Sequence, residues 1–480
     1  MLKRWPANLI TKPWLRQTLP VAALALVWGW VAISIVLPNT NLVTHGFIGR
    51  YTAARLLVRG EFGPQVYNDY WFIRQVQATA NAPVIEIFTP NLPTLALLTL
   101  PFVGLDPWPA RNVWLWLSYG SLLLATGLLV TILARQYGLA SSLWAVTLGS
   151  LCLMPALEAN FAVGQVYTLL LLCLVLAWWG WVTGNDALLG LGLGLAFLFK
   201  TSGLILWLLL VTHRRWPAFL WLIGPPGLVM LLSLPWLGLD TWLVYPKAAA
   251  AFSERGAVAV TAYQTTTGFF KHLFDFDPVW NPAPLAHLPG LAWLLTLTVS
   301  LLATAVTLWL TRLRGQLTIN NEQLAINNEQ LTMSDELKIQ PSLFTLHPLF
   351  PSSNPPILQS SPLPSFHPSI LPSFHSLSFA VLIPLAIVLL PVAEEYHFVL
   401  LLIPAALLGA ELFRQAAKFE LILFAAAFLL LMLPISFKSE AYRVGWWALL
   451  AYPRLYAGWL IWYLGIRRLA AGLEQKNDED

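Results

Sequence analysis

Long apolar runs, interrupted at short intervals by basic or polar residues, set the plan of this chain. Runs near the roughly 20 residues needed to cross a bilayer's hydrocarbon recur from one end to the other. They fall at 20–38, 110–133, 140–156, 164–183, 186–199, 202–212, 216–236, 289–311, 377–393, 397–412, 419–435 and 446–466, and each predicts a helix. A further apolar stretch, 91–105, is broken by Pro93 and Pro101 and reads as re-entrant or as a short span. The expected fold is an all-α polytopic membrane bundle of about 12–13 transmembrane helices.

Basic residues orient the runs. Arg135, the cluster His213-Arg214-Arg215, Arg312 with Arg314, Arg414 with Lys418, and Arg467-Arg468 fall at alternate helix ends. Lys3, Arg4, Lys12 and Arg16 precede the first run. Cytoplasmic loops carry excess Lys and Arg, so all these ends are expected inside, with both termini, if 91–105 does not cross. Lys438 and Arg443 fit this pattern less well. The first run exceeds the apolar core of a cleavable signal and lacks a small-residue cleavage site, so an uncleaved first helix is expected.

Two long loops then face outward, 39–90 and 237–288. The first is expected to carry an amphipathic helix around Ala53–Leu57, lying on the membrane surface. The segment 315–376 differs from both. It opens with three seven-residue units, Gln316–Glu322, Gln323–Glu329 and Gln330–Glu336, whose apolar positions lie two apart, a poor coiled-coil seam. A Pro/Ser-rich tract follows, with Leu-Pro-Ser-Phe-His at 363–367 and again at 371–375, a composition that buries no core. His367 and His375 read as repeat copies rather than as metal ligands. The chain thus divides into an N-terminal transmembrane module (1–314), a low-complexity cytoplasmic insertion (315–376) and C-terminal transmembrane helices (377–480).

Composition closes off other classes. Hydrophobic residues make up 58% of the 480 and charged residues 10%, against about 25% charged in soluble domains. No single soluble core buries that much apolar chain. The 24 Trp suit a membrane–water interface. A net charge of +4 leaves no nucleic-acid footprint. Cys152 and Cys173 sit inside apolar runs and read as packed thiols with no metal pattern.

Polar residues within or beside spans are costly and therefore informative. Lys200 ends the run Leu188–Phe199. It reads either as a lysine snorkelling to the interface or as a cation for a lipid phosphate. Gly164-Gln165 opens an apolar helix just after Glu158 and Asn160. Glu394, Glu395, Tyr396 and His397 sit between two apolar helices, as solvated charge or as donors and acceptors for a substrate. Tyr263-Gln264 and Thr265–Thr267 form a polar island in the second loop. Lys200, Gln165, Gln264 and His397 come from distant parts of the sequence and are all expected on the outer face, as a site at the membrane boundary would require.

In order along the chain, these elements resemble glycosyltransferase family 87, integral-membrane enzymes of the C-type fold that include polyprenyl-phosphate-mannose-dependent mannosyltransferases. The resemblance rests on Gly46-Phe47-Ile48-Gly49-Arg50-Tyr51-Thr52-Ala53-Ala54, Phe88-Thr89-Pro90, Gly164-Gln165, the Gly-rich helix ending at Lys200, Tyr263-Gln264-Thr265, and His397 opening an apolar helix. Where the family carries an acid after the first helix, this chain has Gly46.

The resemblance implies a metal-independent, inverting hexosyl transfer with no cofactor. A mannose-like sugar passes from a polyprenyl-phosphate donor to a lipid or glycan acceptor, at the outer face of the cell membrane among membrane lipids. His45 is the expected base, with Asp69 and Glu86 as the other candidates. Lys200 is expected to hold the leaving phosphate, assisted by His397 and by Arg50 or Arg55. Gln165, Gln264, Glu394 and Glu395 complete the expected substrate-binding set. The competing readings are a non-catalytic polyprenyl-lipid flippase or transporter, an inactive membrane subunit, and another C-type enzyme such as a polymer ligase.

Overall fold

A computed structural model of the chain describes residues 13–42, 44–254, 260–338, 373–414, 418–433, 439–443 and 445–477. Lys3, Arg4, Lys12, Lys438 and the Pro/Ser tract with His367 lie outside the described residues. Among the described residues the fold is all-α, without a strand. The order is α1 (Pro13–Val31), α2 (Phe47–Val58), α3 (Asp69–Ala80), α4 (Leu95–Leu98), α5 (Pro107–Tyr137), α6 (Leu139–Cys152), α7 (Met154–Val163), α8 (Tyr167–Thr183), α9 (Asp186–Phe199) and α10 (Leu204–Thr212). There follow α11 (Trp216–Leu237), α12 (Leu239–Glu254), α13 (Thr266–Phe274), α14 (Pro289–Lys338), α15 (Ser373–Ala380), α16 (Leu382–Val388), α17 (Leu402–Arg414), α18 (Lys418–Met432) and α19 (Pro453–Asn477). Cys152 and Cys173 are buried free thiols.

Each of the twelve long apolar runs becomes helix, but not each is a full-length span. Among the described residues, five helices are long and apolar enough to cross a membrane, or six if α6 and α7, bent by 61°, form one broken span. The bend follows from Pro155 in the first turn of α7, since proline cannot continue the ladder of the preceding helix. Other runs form shorter apolar helices, at 167–183, 186–199 and 376–388. A helix surrounded by other helices satisfies its ends within the protein and need not reach both interfaces. The stretch 91–105 holds only α4 and a 3₁₀ turn at Leu100–Phe102, not a continuous span.

Glycines fix the central hairpin. A Cβ on Gly192 would stand 2.8 Å from the Ala177 nitrogen of α8, and one on Gly190 would stand 2.2 Å from the Ala218 carbonyl oxygen of α11. The backbone of α9 is therefore clamped between two neighbours, the close approach that small residues permit in membrane bundles. Asn185 caps the start of α9, its side chain accepting the Leu188 N–H at 3.0 Å. The far end of α9, where Lys200 follows, is thus held rigidly. The span Glu395–Arg414 is buried over 83% of its most apolar window, against 17% for Pro289–Gln316. The segment carrying Glu395–His397 therefore enters the middle of the bundle, while α14 lies at its edge.

One expectation is corrected. The helix containing Ala53–Leu57 is not amphipathic and does not lie on a surface. In α2 every residue from Phe47 to Ala54 is buried, as is Leu56. It packs beneath α4 and α5, and its polar groups find partners inside, as when Thr99 Oγ1 donates to the Arg50 carbonyl at 2.9 Å. Beyond Arg314, α14 continues through the three repeat units to Lys338. Those units hold Leu, Ile, Gln and Glu without proline or glycine, so propensity lets a helix already nucleated in the bundle propagate.

Candidate functional site

A cavity of about 330 Å³ opens where seven chain segments meet. Its wall takes Gly46, Gly49 and Arg50 from the start of α2, Glu86 and Asn91 from the extended segment before α4, and Gln165 from the α7–α8 junction. Lys200 comes from the end of α9, and Glu394, Tyr396 and His397 come from the entry to the central span. Tyr245 and Phe252 of α12, with Tyr263, add an aromatic side.

Arg50 is built in. Its guanidinium donates to Gln165 Oε1 at 3.2 Å and to the Gly164 carbonyl, and lies 5.2 Å from the Trp114 ring centre. Trp114 Nε1 donates to the same carbonyl at 2.9 Å. That carbonyl is available because Gly164 ends α7 in the left-handed region, φ +64°, where glycine is the usual residue. Burial pushes the Arg50 pKa down to about 10, partly opposed by the charge of Glu86. It stays cationic at neutral pH.

Lys200 donates from Nζ to Asn91 Oδ1 at 2.8 Å. Burial, then the charge of Arg50, lower its pKa to about 8, against the opposing pull of Glu86 and Glu394. Two cations from distant segments thus face one cavity together with two carboxylates.

Glu86 lies over the entrance to α2. Its carboxylate accepts the backbone N–H of Gly46, and Oε1 accepts that of Ile87 at 3.2 Å. Burial raises its pKa, while the Gly46 N–H, His45, the Ile87 N–H and Arg50 pull the other way. A Cβ on Gly49 would stand 2.5 Å from Glu86 Cγ, so glycine there leaves the room the side chain occupies.

Glu394 and His397 close the opposite wall. Together they form a capping box: the Glu394 side chain accepts the His397 backbone N–H, and His397 Nδ1 accepts the Glu394 N–H at 3.0 Å. Nδ1 also lies 3.1 Å from the Glu394 carbonyl oxygen, so backbone groups of one residue hold the ring on that side. The ring stacks on Tyr396 at 4.9 Å and tilts on Tyr167 at 4.4 Å. His397 is therefore held in a fixed orientation against the cavity.

Arg50, Glu86, Gln165, Lys200, Glu394 and His397 thus share one cavity. The other expected site residues lie elsewhere. His45 is exposed beside Gly46. Arg55 lies one turn further along α2, over the Tyr51 ring at 5.9 Å. Asp69 opens α3 and accepts from the Thr89 hydroxyl. Gln264 is fully buried, its Nε2 donating to the carbonyls of Thr261 at 2.6 Å and Ala451 at 2.7 Å. Glu395 pairs with Arg454 at 2.7 Å. Asn91 and Tyr245 were not anticipated. The signal for Asn91 was a lone amide directly after Phe88-Thr89-Pro90, opening an apolar stretch. Tyr245 had no signal beyond its place in the second long loop. Among the described residues, no three His, Cys, Asp or Glu gather to hold a metal.

The family model of glycosyltransferase family 87 matches residues 88–322, just under half of the chain. The match takes in Asn91, Gln165, Lys200, Tyr245, Phe252 and Tyr263 of the cavity wall, while Gly46, Gly49, Arg50 and Glu86 lie before it and Glu394, Tyr396 and His397 after it. No curated protein and no solved structure matches the chain.

Proposed function

We propose that this chain, a membrane glycosyltransferase of family 87, moves a mannose-like hexose from a polyprenyl-phosphate sugar to a hydroxyl of a lipid or glycan, with inversion, at the outer face of the cell membrane. The observation that carries this reading is the meeting of Lys200 and Arg50 with carboxylates in one cavity. A departing lipid phosphate needs positive charge and hydrogen-bond donors already in place, because solvent cannot reorganise around it in time. Lys200 Nζ supplies the charge, and the His397 ring and the amide of Gln165 supply donors. Arg50, already bonded to Gly164 and Gln165, acts as a fixed positive background. The aromatic side of Tyr245, Phe252 and Tyr263 offers apolar faces for a sugar ring or the first isoprene unit. The outward orientation is supported by the alternation of basic helix ends along the sequence.

The test is direct. Purified protein in nanodiscs is incubated with radiolabelled polyprenyl-phosphate hexoses and a lipid or glycan acceptor, and products are separated by chromatography. A new glycoside is expected. Translocation of the carrier without any transfer would replace this reading with that of a transporter.

A further inference from the structure

We infer that Glu86 is the base that takes the acceptor hydroxyl's proton, held in a slot that Gly49 leaves empty. The inference rests on the transfer reaction proposed above. In the step assigned to it, the acceptor O–H bond breaks and its proton passes to a Glu86 oxygen. The acceptor oxygen bonds the anomeric carbon as the carbon–oxygen bond to phosphate breaks. That electron pair leaves on the phosphate beside Lys200. Glu86, now neutral, returns its proton to solvent.

The slot is specific. A side chain at position 46 has no room, since its Cβ would stand 2.2 Å from the Val163 carbonyl oxygen, and Gly46 sits at φ +89°. A side chain at position 49 would strike Glu86 Cγ at 2.5 Å. The bare position at Gly49 therefore admits the Glu86 side chain, while Gly46, packed on Val163, offers it a backbone N–H. Together they place its carboxylate at the N-terminal end of α2, where negative charge is favoured. The carboxylate has about four lone-pair positions. Backbone N–H groups of Gly46 and Ile87 occupy two of them, which fixes its orientation and leaves positions open toward the cavity.

The rival carboxylate of the cavity is engaged. Glu394 caps the entry to the central span through the His397 N–H and is hydrogen-bonded to Tyr396. Protonating it would weaken the cap that holds His397. Asp69 does not line the cavity, and it already accepts from Thr89. The raised proton affinity of Glu86 makes it a better base than a solvated carboxylate, as efficient proton transfer near neutral pH requires.

The experiment compares wild type, Glu86→Gln, Glu86→Asp and Glu86→Ala in nanodiscs. It reads turnover at saturating donor and acceptor, binding of polyprenyl phosphate, and the response of each protein to added formate. Glu86→Gln should lose about 10²–10⁴-fold in turnover with polyprenyl-phosphate binding unchanged. Glu86→Asp should keep measurable turnover. Formate should restore part of the rate to Glu86→Ala, whose slot is empty, and none to Glu86→Gln, whose slot is filled. Full turnover by Glu86→Gln would overturn the assignment while leaving the transfer reaction intact. So would parallel loss of turnover and binding without formate rescue, which would mark Glu86 as a packing group. Absence of transfer by the wild type would overturn the reaction and the assignment together.

Discussion

Lys200 Nζ reaches Asn91 Oδ1 across 2.8 Å, tying the end of α9 to the segment that precedes α4. The contact turns the ammonium toward the cavity rather than along the lipid. A snorkelling lysine would extend its chain toward water. This one is half-buried and aimed by an amide, on a helix whose backbone is clamped at Gly190 and Gly192.

Lys200→Met keeps most of the side-chain length and removes the charge. Polyprenyl-phosphate affinity should fall by about 1.5–3 kcal/mol, the range for hydrogen bonds to charged groups. Lys200→Arg should regain part of it, because a guanidinium also suits phosphate. A titration of polyprenyl phosphate against the three proteins, at matched fold and detergent, checks this. Equal affinities would remove Lys200 from the binding site.

The same lysine sets a pH limit. Its pKa lies at about 8, below the usual value for lysine. Charge is present below that value and is lost as pH rises through it. Polyprenyl-phosphate affinity should therefore weaken between about pH 7 and 9, and the weakening should vanish in Lys200→Arg, which stays charged. A pH series of binding titrations on both proteins reads the difference. The same slope in both would assign the titration to another group.

Gln264 should behave as a structural residue. Its amide donates to the carbonyls of Thr261 and Ala451, and its Oε1 accepts the Arg454 N–H at 3.1 Å. Its own backbone N–H donates to the Ala393 carbonyl at 2.9 Å, just before Glu394. Gln264→Leu leaves three buried backbone groups without that partner, each costing about 1–3 kcal/mol. The melting temperature should drop clearly while polyprenyl-phosphate affinity of the folded fraction holds. The opposite result, a stable protein with weakened binding, would return Gln264 to the substrate.

How much of this was legible in the sequence follows from what each signal reports. Apolar runs report burial or lipid, and both give helix, so α9 at 186–199 and the helix 216–237 stood out. They do not report which helices reach across, because α8 and α9 are short helices inside a bundle whose neighbours satisfy their ends. Lys200, Gln165 and His397 stood out as polar groups at the ends of apolar runs, where charge and amides are expensive. Their meeting with Arg50 and Glu86 was implied by the resemblance alone. It depends on α2 being buried, and a helix reading Gly-Arg-Tyr-Thr-Ala-Ala-Arg suggests a surface. The role of Gly49 as room for Glu86 is a contact between residues 37 apart, which no local pattern carries. Gln264 misled for a related reason, since a buried amide serves backbone carbonyls as readily as a ligand.

The segment between α14 and α15 should be dispensable. Its Pro/Ser composition offers no core. Replacing 339–372 with a Gly/Ser linker should leave folded yield and transfer rate close to those of the wild type. Size-exclusion chromatography and the radiolabel assay check both, and loss of the monodisperse peak would show that the segment supports the fold.

Restoring an acid at position 46 should fail, and the reason is steric. Gly46 adopts φ +89° and ψ −88°, a region that side chains rarely enter. A Cβ there would lie 2.2 Å from a backbone oxygen of Val163 and 3.2 Å from its Cβ. The Val163 carbonyl belongs to the last turn of α7, just before Gly164, whose own carbonyl holds Arg50. It cannot withdraw without moving that anchor. Backbone strain alone costs about 1–3 kcal/mol, and the clash adds to it. Gly46→Asp should therefore lower the melting temperature and the yield of folded protein, and it should not rescue Glu86→Gln. A Gly46→Asp/Glu86→Gln double variant that recovers turnover would show that the entrance to α2 can re-form around an acid of its own. The measurement is turnover per folded molecule for both single variants and the double. The expected order places the double variant at or below Glu86→Gln.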